Sequence, residues 1–264
     1  MKTALITGAS GGIGEVFARK LAARGENVFL VARSADKLAV ICNALIAEHK
    51  VDAQFFALDL TEGDAPARLY EETERRGLEV ETLVNNAGYG SMGEFALLDS
   101  ENELRMVDLN VRALAELTHR YLVPMRARGR GAIINVASTV AFQPVPFMAT
   151  YAATKAFVLS FSEALWEENR AHGVKVLALC PGSTDTNFFD AAGSAPPPRS
   201  VVQTPEEVVE AAFGALDAGK GHVISGWKNF FVAESNRLAP RSLATRLAGM
   251  ILKQRYKPKE KSGV

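Results

Sequence analysis

The sequence predicts a doubly wound α/β fold, a parallel sheet covered by helices on both faces, and three observations carry that prediction. Seven short apolar runs recur along the chain, at 3–7, 27–32, 53–58, 82–86, 131–137, 174–179 and 222–226. Between most of them lie stretches with an apolar residue every three or four positions, at 13–24, 35–48, 62–76, 101–122 and 152–171. The first run passes directly into a glycine-rich turn, TGASGGIG (7–14). Uninterrupted apolar strands flanked by amphipathic helices are buried on both faces, and such sheets take ligands at the carboxyl ends of their strands. The 264 residues suit one domain, 1–264, rather than two.

The elements follow in order. After the first strand, Gly8, Gly12 and Gly14 permit a tight turn, close backbone approach to a pyrophosphate, and close packing of helix on strand. Ser10 and Ile13 belong to the same phosphate loop. The helix that follows offers free N–H groups and its positive dipole end to the phosphates. The second strand ends NVFLVARS (27–34). A binder of NAD carries an Asp or Glu here for the ribose hydroxyls, but Ala32, Arg33 and Ser34 are not acidic. Arg33 can instead pair with a 2′-phosphate through charge-assisted bonds. Ser34 can donate another bond, or cap the next helix. NADP(H) is therefore expected in preference to NAD, with Asp36 the nearby carboxylate that could still face the ribose. Asp59 and Leu60 follow the third strand, where a carboxylate can accept from an adenine amino group or cap the helix at 62–76. The fourth strand ends NNAG (85–88), and Ser138 follows the fifth. The next helix carries YAATK, with Tyr151 and Lys155 four residues apart on one face. CPGSTDTNFF (180–189) follows the sixth strand, and three consecutive prolines in GSAPPPRS (193–200) make a loop, so 187–200 reads as a lid.

TGASGGIG, NNAG, Asn110, Ser138, Tyr151 with Lys155, and Pro181-Gly182 stand in the order and spacing of the short-chain dehydrogenase/reductase family. The chain resembles the compact single-domain form of that family over residues 1 to about 226. The resemblance implies a Rossmann-type sheet, a nicotinamide cofactor and interconversion of a carbonyl and an alcohol. It implies that Tyr151 donates and accepts the proton, that Ser138 bonds the substrate oxygen, and that Lys155 holds the nicotinamide ribose. Asn110 would hold a water linking Lys155 to solvent. Asn86, Ala87, Gly88, Pro181, Gly182, Thr184 and Thr186 would line the cofactor, with Thr186 closing over the carboxamide and pyrophosphate. A free phenol titrates near a pKa of about 10, and the Lys155 ammonium is expected to lower that value. A binding-only alternative, an NADP(H) sensor or scaffold with little turnover, is opposed by the complete set of four catalytic residues.

Composition narrows the remaining classes. Thirty basic residues balance thirty acidic ones, so nothing points to a nucleic-acid partner. Cys42, Cys180 and the four histidines show no ligand spacing, so neither a metal site nor a disulfide framework is expected. A soluble cytoplasmic protein is expected, because the N-terminus opens on a strand-like run rather than a leader, and no apolar run is long enough to cross a membrane. Candidate pocket residues are mostly apolar: Val140, Phe142, Gln143, Pro144, Phe147 and Met148 after Ser138, and Tyr89, Met92 and Phe95 after NNAG. They favour a lipophilic ketone or alcohol over a phosphorylated sugar. The resemblance implies a homodimer or homotetramer formed through 101–122 and 152–171. Residues 237–264 form a basic tail, and 241–255 reads as an amphipathic helix with Leu243, Leu247, Met250 and Ile251 on one face. The preferred reading packs that helix over the domain or across a dimer interface. Contact with a membrane surface, or with the mouth of the active site, is the other reading.

Overall fold

A computed structural model describes residues 2–192, 198, 201–235 and 240–253. Seven strands form one sheet: β1 (Lys2–Thr7), β2 (Asn27–Ala32), β3 (Ala53–Ala57), β4 (Glu79–Asn85), β5 (Gly131–Val136), β6 (Val174–Cys180) and β7 (His222–Ile224). Their order is β3-β2-β1-β4-β5-β6-β7, and every neighbouring pair is parallel. The connection reverses direction between β1 and β4, which opens a crevice at the carboxyl ends of those two strands.

Successive side chains on a strand point to opposite faces, and this alternation builds two cores. Ile6, Leu30, Ile134 and Leu177 face one side. There they meet Phe17 and Leu21 of α1 (Gly12–Ala23), Leu38 and Leu45 of α2 (Ala35–His49), and Phe213 of α8 (Pro205–Asp217). Leu5, Phe29, Ile133 and Val176 face the other side. They meet Leu69 of α3 (Ala65–Arg75) and Leu117, Tyr121 and Met125 of α5 (Leu114–Arg128). Leu165 and Trp166 of α6 (Ala149–Asn169) pack against the same core.

The structure departs from the sequence reading in four places. The helix expected at 101–122 divides into α4 (Ser100–Val107), a π-helical turn (Asp108–Ala113) and α5, which runs on to Arg128 through Pro124. Strand β4 starts at Glu79, before the apolar run, because Arg130 pairs with Glu79 and Glu81 at 2.6 Å each and ties down its polar end. Helix α8 is an element beyond those expected, and its start carries a local signal. Its capping box has Thr204 Oγ1 accepting from Glu207 N at 3.2 Å and Glu207 Oε2 accepting from Thr204 N at 3.0 Å.

The fourth difference concerns the C-terminal helix, α10 (Arg241–Lys253), which follows α9 (Trp227–Ser235). Of the two packings expected, over the domain or across a dimer interface, the first does not occur: in the single chain the stripe faces outward. Ala244 and Ala248 are the buried positions, and Leu252 and Gly249 are half-buried beside them. A Cβ built on Gly249 would stand 3.2 Å from Pro146 Cγ, so small residues let the helix dock closely and leave the large ones outside. Arg237, Arg255, Lys257, Lys259 and Lys261 of the tail lie outside the described residues, as do 193–197, 199 and 200 of the expected lid. The lid begins as a single helical turn, α7 (Phe188–Ala191).

Candidate active site

A cleft of about 1140 Å³ runs along the carboxyl ends of the strands, from the end of β2 to the start of α6. At its centre the glycine loop turns through left-handed backbone at Gly8 (φ +65°) and Gly12 (φ +58°). Gly14 does not line the cleft. A Cβ there would lie 2.4 Å from Gly8 O and 2.5 Å from Asn86 Nδ2, so this glycine seats α1 beneath the loop rather than meeting a ligand. Asn86 does line the cleft, but its amide braces the loop, donating to Thr7 O at 3.0 Å and Gly8 O at 3.2 Å. Thr7 Oγ1 accepts from the backbone N–H groups of Asn86 and Ala87 at 3.0 Å each, locking β1 to β4 at the switch point. Ser10, Ile13, Leu60, Ala87 and Gly88 line the cleft as well.

Arg33 and Ser34 border the cleft at the end of β2, together with Lys37 from the first turn of α2. Ser34 occupies the N-cap position of α2 but makes no side-chain cap bond. Asp36 is exposed and does not line the cleft. Asp59 does line it, although its Oδ1 is held in a turn by Thr61 N at 3.0 Å and Thr61 Oγ1 at 2.8 Å. Burial raises the Asp59 carboxyl pKa, but the Thr61 bonds and the charges of Arg33 and Arg105 outweigh it and hold the group below the usual range. Asp59 thus closes a turn at the cleft wall rather than capping the helix, because α3 begins later and its N-cap position is Asp64.

On the other side, Ser138, Tyr151 and Lys155 line the cleft at the end of β5 and the start of α6. Burial pushes the Tyr151 phenol up to about 12, and its hydrogen bond with Ser138 only partly opposes this. Burial pulls the Lys155 ammonium down to about 8. Lys155 Nζ donates to Val136 O, at the end of β5, at 2.7 Å, and lies 5.8 Å from the centre of the Tyr151 ring. The expected lowering of the phenol by Lys155 is therefore not what this geometry produces: desolvation dominates, and the ammonium is anchored on the β5 carbonyl. Asn110 is fully buried in the π-helical turn and does not line the cleft. Its Nδ2 donates to Tyr89 O at 3.0 Å and Thr154 Oγ1 at 3.1 Å, while its Oδ1 accepts from Tyr89 N at 3.2 Å. Gly88 makes room for this cluster, since a Cβ there would stand 2.9 Å from Asn110 Oδ1 and 3.4 Å from Lys155 Nζ.

Pro181, Gly182, Thr184 and Thr186 close the cleft after β6. A Cβ on Gly12 would meet Thr186 Cγ2 at 3.0 Å, so Thr186 sits directly over the phosphate loop. Beyond Tyr151 the walls become apolar: Met92, Val145, Met148, Phe188, Phe189 and Leu252. The Phe188 ring lies 5.2 Å from that of Tyr151. Of the anticipated pocket residues, Tyr89, Met92, Val140 and Met148 line the cleft, whereas Phe95, Phe142, Gln143, Pro144 and Phe147 do not. Phe95 is largely exposed, and Phe142 packs edge-on against His222 instead.

A family model for short chain dehydrogenases matches residues 2–196. The chain belongs to the short-chain dehydrogenase/reductase family. Its curated relatives include very-long-chain 3-oxoacyl-CoA reductase-A of Danio rerio, 33% identical over 88% of this chain and 74% of the relative. Among solved structures, a 7β-hydroxysteroid dehydrogenase superposes with a TM-score of 0.86 at 28% identity, covering 94% of this chain and 96% of that one. A short-chain dehydrogenase from Sphingobium yanoikuyae in complex with NADPH gives a TM-score of 0.82 at 29% identity, with 99% of each chain covered.

Four residues of this short-chain dehydrogenase/reductase that shape the site escaped the sequence reading. Lys37 had a signal, since it lies one helical turn beyond Arg33 at the start of a predicted helix. Thr7 ends the first strand within the glycine motif, where its hydroxyl is the signal. Thr154 lies inside YAATK and bonds both Asn110 Nδ2 and, at 2.7 Å, Tyr151 O. Leu252 had no local signal, because only tertiary packing brings α10 to the cleft.

Proposed function

We propose that this short-chain dehydrogenase/reductase is an NADPH-linked enzyme that interconverts a lipophilic carbonyl and its alcohol, with Tyr151 as acid and base. The observation that carries the reading is the position of Tyr151, Ser138 and Lys155 where a dinucleotide-sized cleft passes into an apolar end. The residues present fit such a cofactor. The left-handed Gly8 and Gly12 open the loop for a pyrophosphate, and Gly11 at the N-cap of α1 has no side chain to cap it, leaving the first N–H groups of the helix to phosphate. Arg33 and Lys37 are two cations where an NAD binder carries a carboxylate, which favours NADP(H). A neighbour solved with NADPH supports the same preference. When bound, the nicotinamide supplies the hydride.

The chain supplies the proton. Tyr151 is buried and neutral at physiological pH, so it holds a proton at the point where a carbonyl oxygen must receive one. Ser138 bonds the phenol and can share the same oxygen as negative charge grows on it. The Lys155 ammonium, fixed by Val136 O, would hold the nicotinamide ribose beside the phenol. Asn110 spends both N–H bonds on Tyr89 O and Thr154, so its side chain positions the segment behind the site, and any water relay would use its remaining acceptor capacity. The relatives' names describe a 3-oxoacyl and a hydroxysteroid substrate, both consistent with an apolar pocket. The reading includes one domain over 1–264, a reducing cytoplasmic compartment suited to the buried thiols Cys42 and Cys180, and a homodimer or homotetramer. Exposed Leu104 and Val107 on α4 and Phe157 on α6 give that association an apolar surface. NADPH oxidation against lipophilic ketones, oxosteroids and long-chain 3-oxoacyl thioesters tests the reading, with NADH and Tyr151→Phe as controls. Tight NADPH binding with no Tyr151-dependent turnover would favour the sensor alternative.

A further inference from the structure

We propose that the outward faces of α9 and α10 dock the protein on an anionic lipid surface beside the mouth of the cleft. An amphipathic helix on a globular domain ordinarily turns its large apolar side chains inward. Helix α10 does the reverse. Leu243, Leu247, Met250 and Ile251 are 49%, 46%, 59% and 64% exposed, while Ala244 and Ala248 make the inward contact. Helix α9 repeats the inversion. It docks through Ala233 and through Asn229, whose Nδ2 donates to Gln203 Oε1 at 3.0 Å and Ser225 O at 2.8 Å. It turns Trp227, Phe230, Phe231 and Val232 outward. Large apolar surfaces of this kind mark an interaction site rather than chance exposure.

Charge selects the occupant. The whole chain is neutral, with 30 basic and 30 acidic residues, but charge is segregated here. Lys228, Arg241, Arg246 and Lys253 lie on the two helices, against the single acidic residue Glu234. Arg246 and Lys253 stand three or four residues from Met250, along the edge of the aliphatic stripe. Between 237 and 261 the sequence carries eight basic residues and one acidic residue, Glu260. Anionic headgroups complement this arrangement, with aliphatic side chains entering the acyl boundary and Trp227 suited to the interface. A second copy seated face to face would set cations against cations, and the apolar residues of α4 and α6 offer self-association a separate surface.

The surface is also continuous with the cleft. Leu252, one residue beyond the outward stripe, lines the apolar end, and the Asn229 side chain of α9 packs against Gly182 at the other rim. A lipophilic molecule could therefore pass from bilayer to cleft without crossing water, and the docking itself holds whatever the substrate is.

Co-sedimentation of the full chain with phosphatidylcholine vesicles, with and without phosphatidylserine, tests the proposal. Leu247→Glu/Ile251→Glu and Arg246→Glu/Lys253→Glu serve as variants, and circular dichroism verifies that both fold. The expected result is binding to anionic vesicles at low salt, a blue shift of tryptophan emission, and loss of at least about tenfold in partitioning for either variant. Absence of binding by the parent chain at low salt overturns the proposal, as does equal binding by parent and variants. A parent chain that ignores vesicles but loses self-association on Leu247→Glu/Ile251→Glu overturns it in favour of a second copy.

Discussion

Replacing Arg33 by alanine tests the cofactor assignment most directly. Arg33 stands at the end of β2, lines the cleft with Ser34 and Lys37, and its charge adds to the Thr61 bonds that hold the Asp59 carboxyl below its usual range. A hydrogen bond between charged groups contributes about 1.5–3 kcal/mol, and every 1.4 kcal/mol corresponds to about tenfold in affinity. Arg33 is exposed, so solvent screening puts the effect toward the lower part of that range. Arg33→Ala is therefore expected to raise the NADPH KM by about tenfold to thirtyfold and to leave the NADH KM within about twofold. Arg33→Asp should go further, adding repulsion of the 2′-phosphate and restoring a partner for the ribose hydroxyls, so that preference inverts. Lys37→Ala should give a smaller effect of the same sign, and the double variant should fall short of the product of the singles because both cations face one phosphate. Initial rates with each cofactor, followed by absorbance, measure all four variants. Equal changes in the NADPH and NADH constants, or an NADPH KM unmoved by Arg33→Asp, would refute the reasoning.

Three further expectations rest on other parts of the site. Tyr151→Phe removes the proton but little volume, so kcat should fall by about 10²–10⁴ while NADPH binding stays within about twofold; an active Phe variant would end the acid/base assignment. Burial lowers the Lys155 pKa from 10.5 to about 8, so between those values the unfolded chain binds more protons and stability rises with pH. Below that window the buried ammonium costs stability, and Lys155→Met should abolish turnover yet gain up to about 3 kcal/mol in urea melts below pH 8, a gain that shrinks toward pH 10.5. A Met variant less stable than the parent at every pH contradicts this. Gly14→Ala should lose NADPH binding, because its Cβ would lie 2.4 Å from Gly8 O, whereas Gly214→Ala, within α8 and with nothing within 4 Å, should bind normally; isothermal titration separates the two.

The strands and the order of the motifs were legible because their signals are local. Apolar runs mark buried strands through side-chain alternation alone, and the runs at 3–7, 27–32 and 131–137 became strands to within a residue or so at each end. Ser138, Tyr151 and Lys155 were found together because a strand end and one helix face suffice to bring them to one cleft. The glycine loop was legible for the same reason, although the sequence could not distinguish Gly14, which seats a helix, from Gly8 and Gly12, which turn the chain.

What only the tertiary structure decided are matters of which distant groups meet. The pKa of Tyr151 depends on how completely the surrounding elements exclude water, and Lys155 finds Val136 O, nineteen residues earlier, at the end of a neighbouring strand. Asn110 is committed to Tyr89 and Thr154 because a π-helical turn aims it there. The C-terminal helix shows the same division most clearly. Its amphipathic stripe was plain in the sequence, but periodicity specifies only that apolar side chains share a face. Which face is buried was settled by Pro146 and the residues around it, which accept the small side of the helix and leave Leu243, Leu247, Met250 and Ile251 outside.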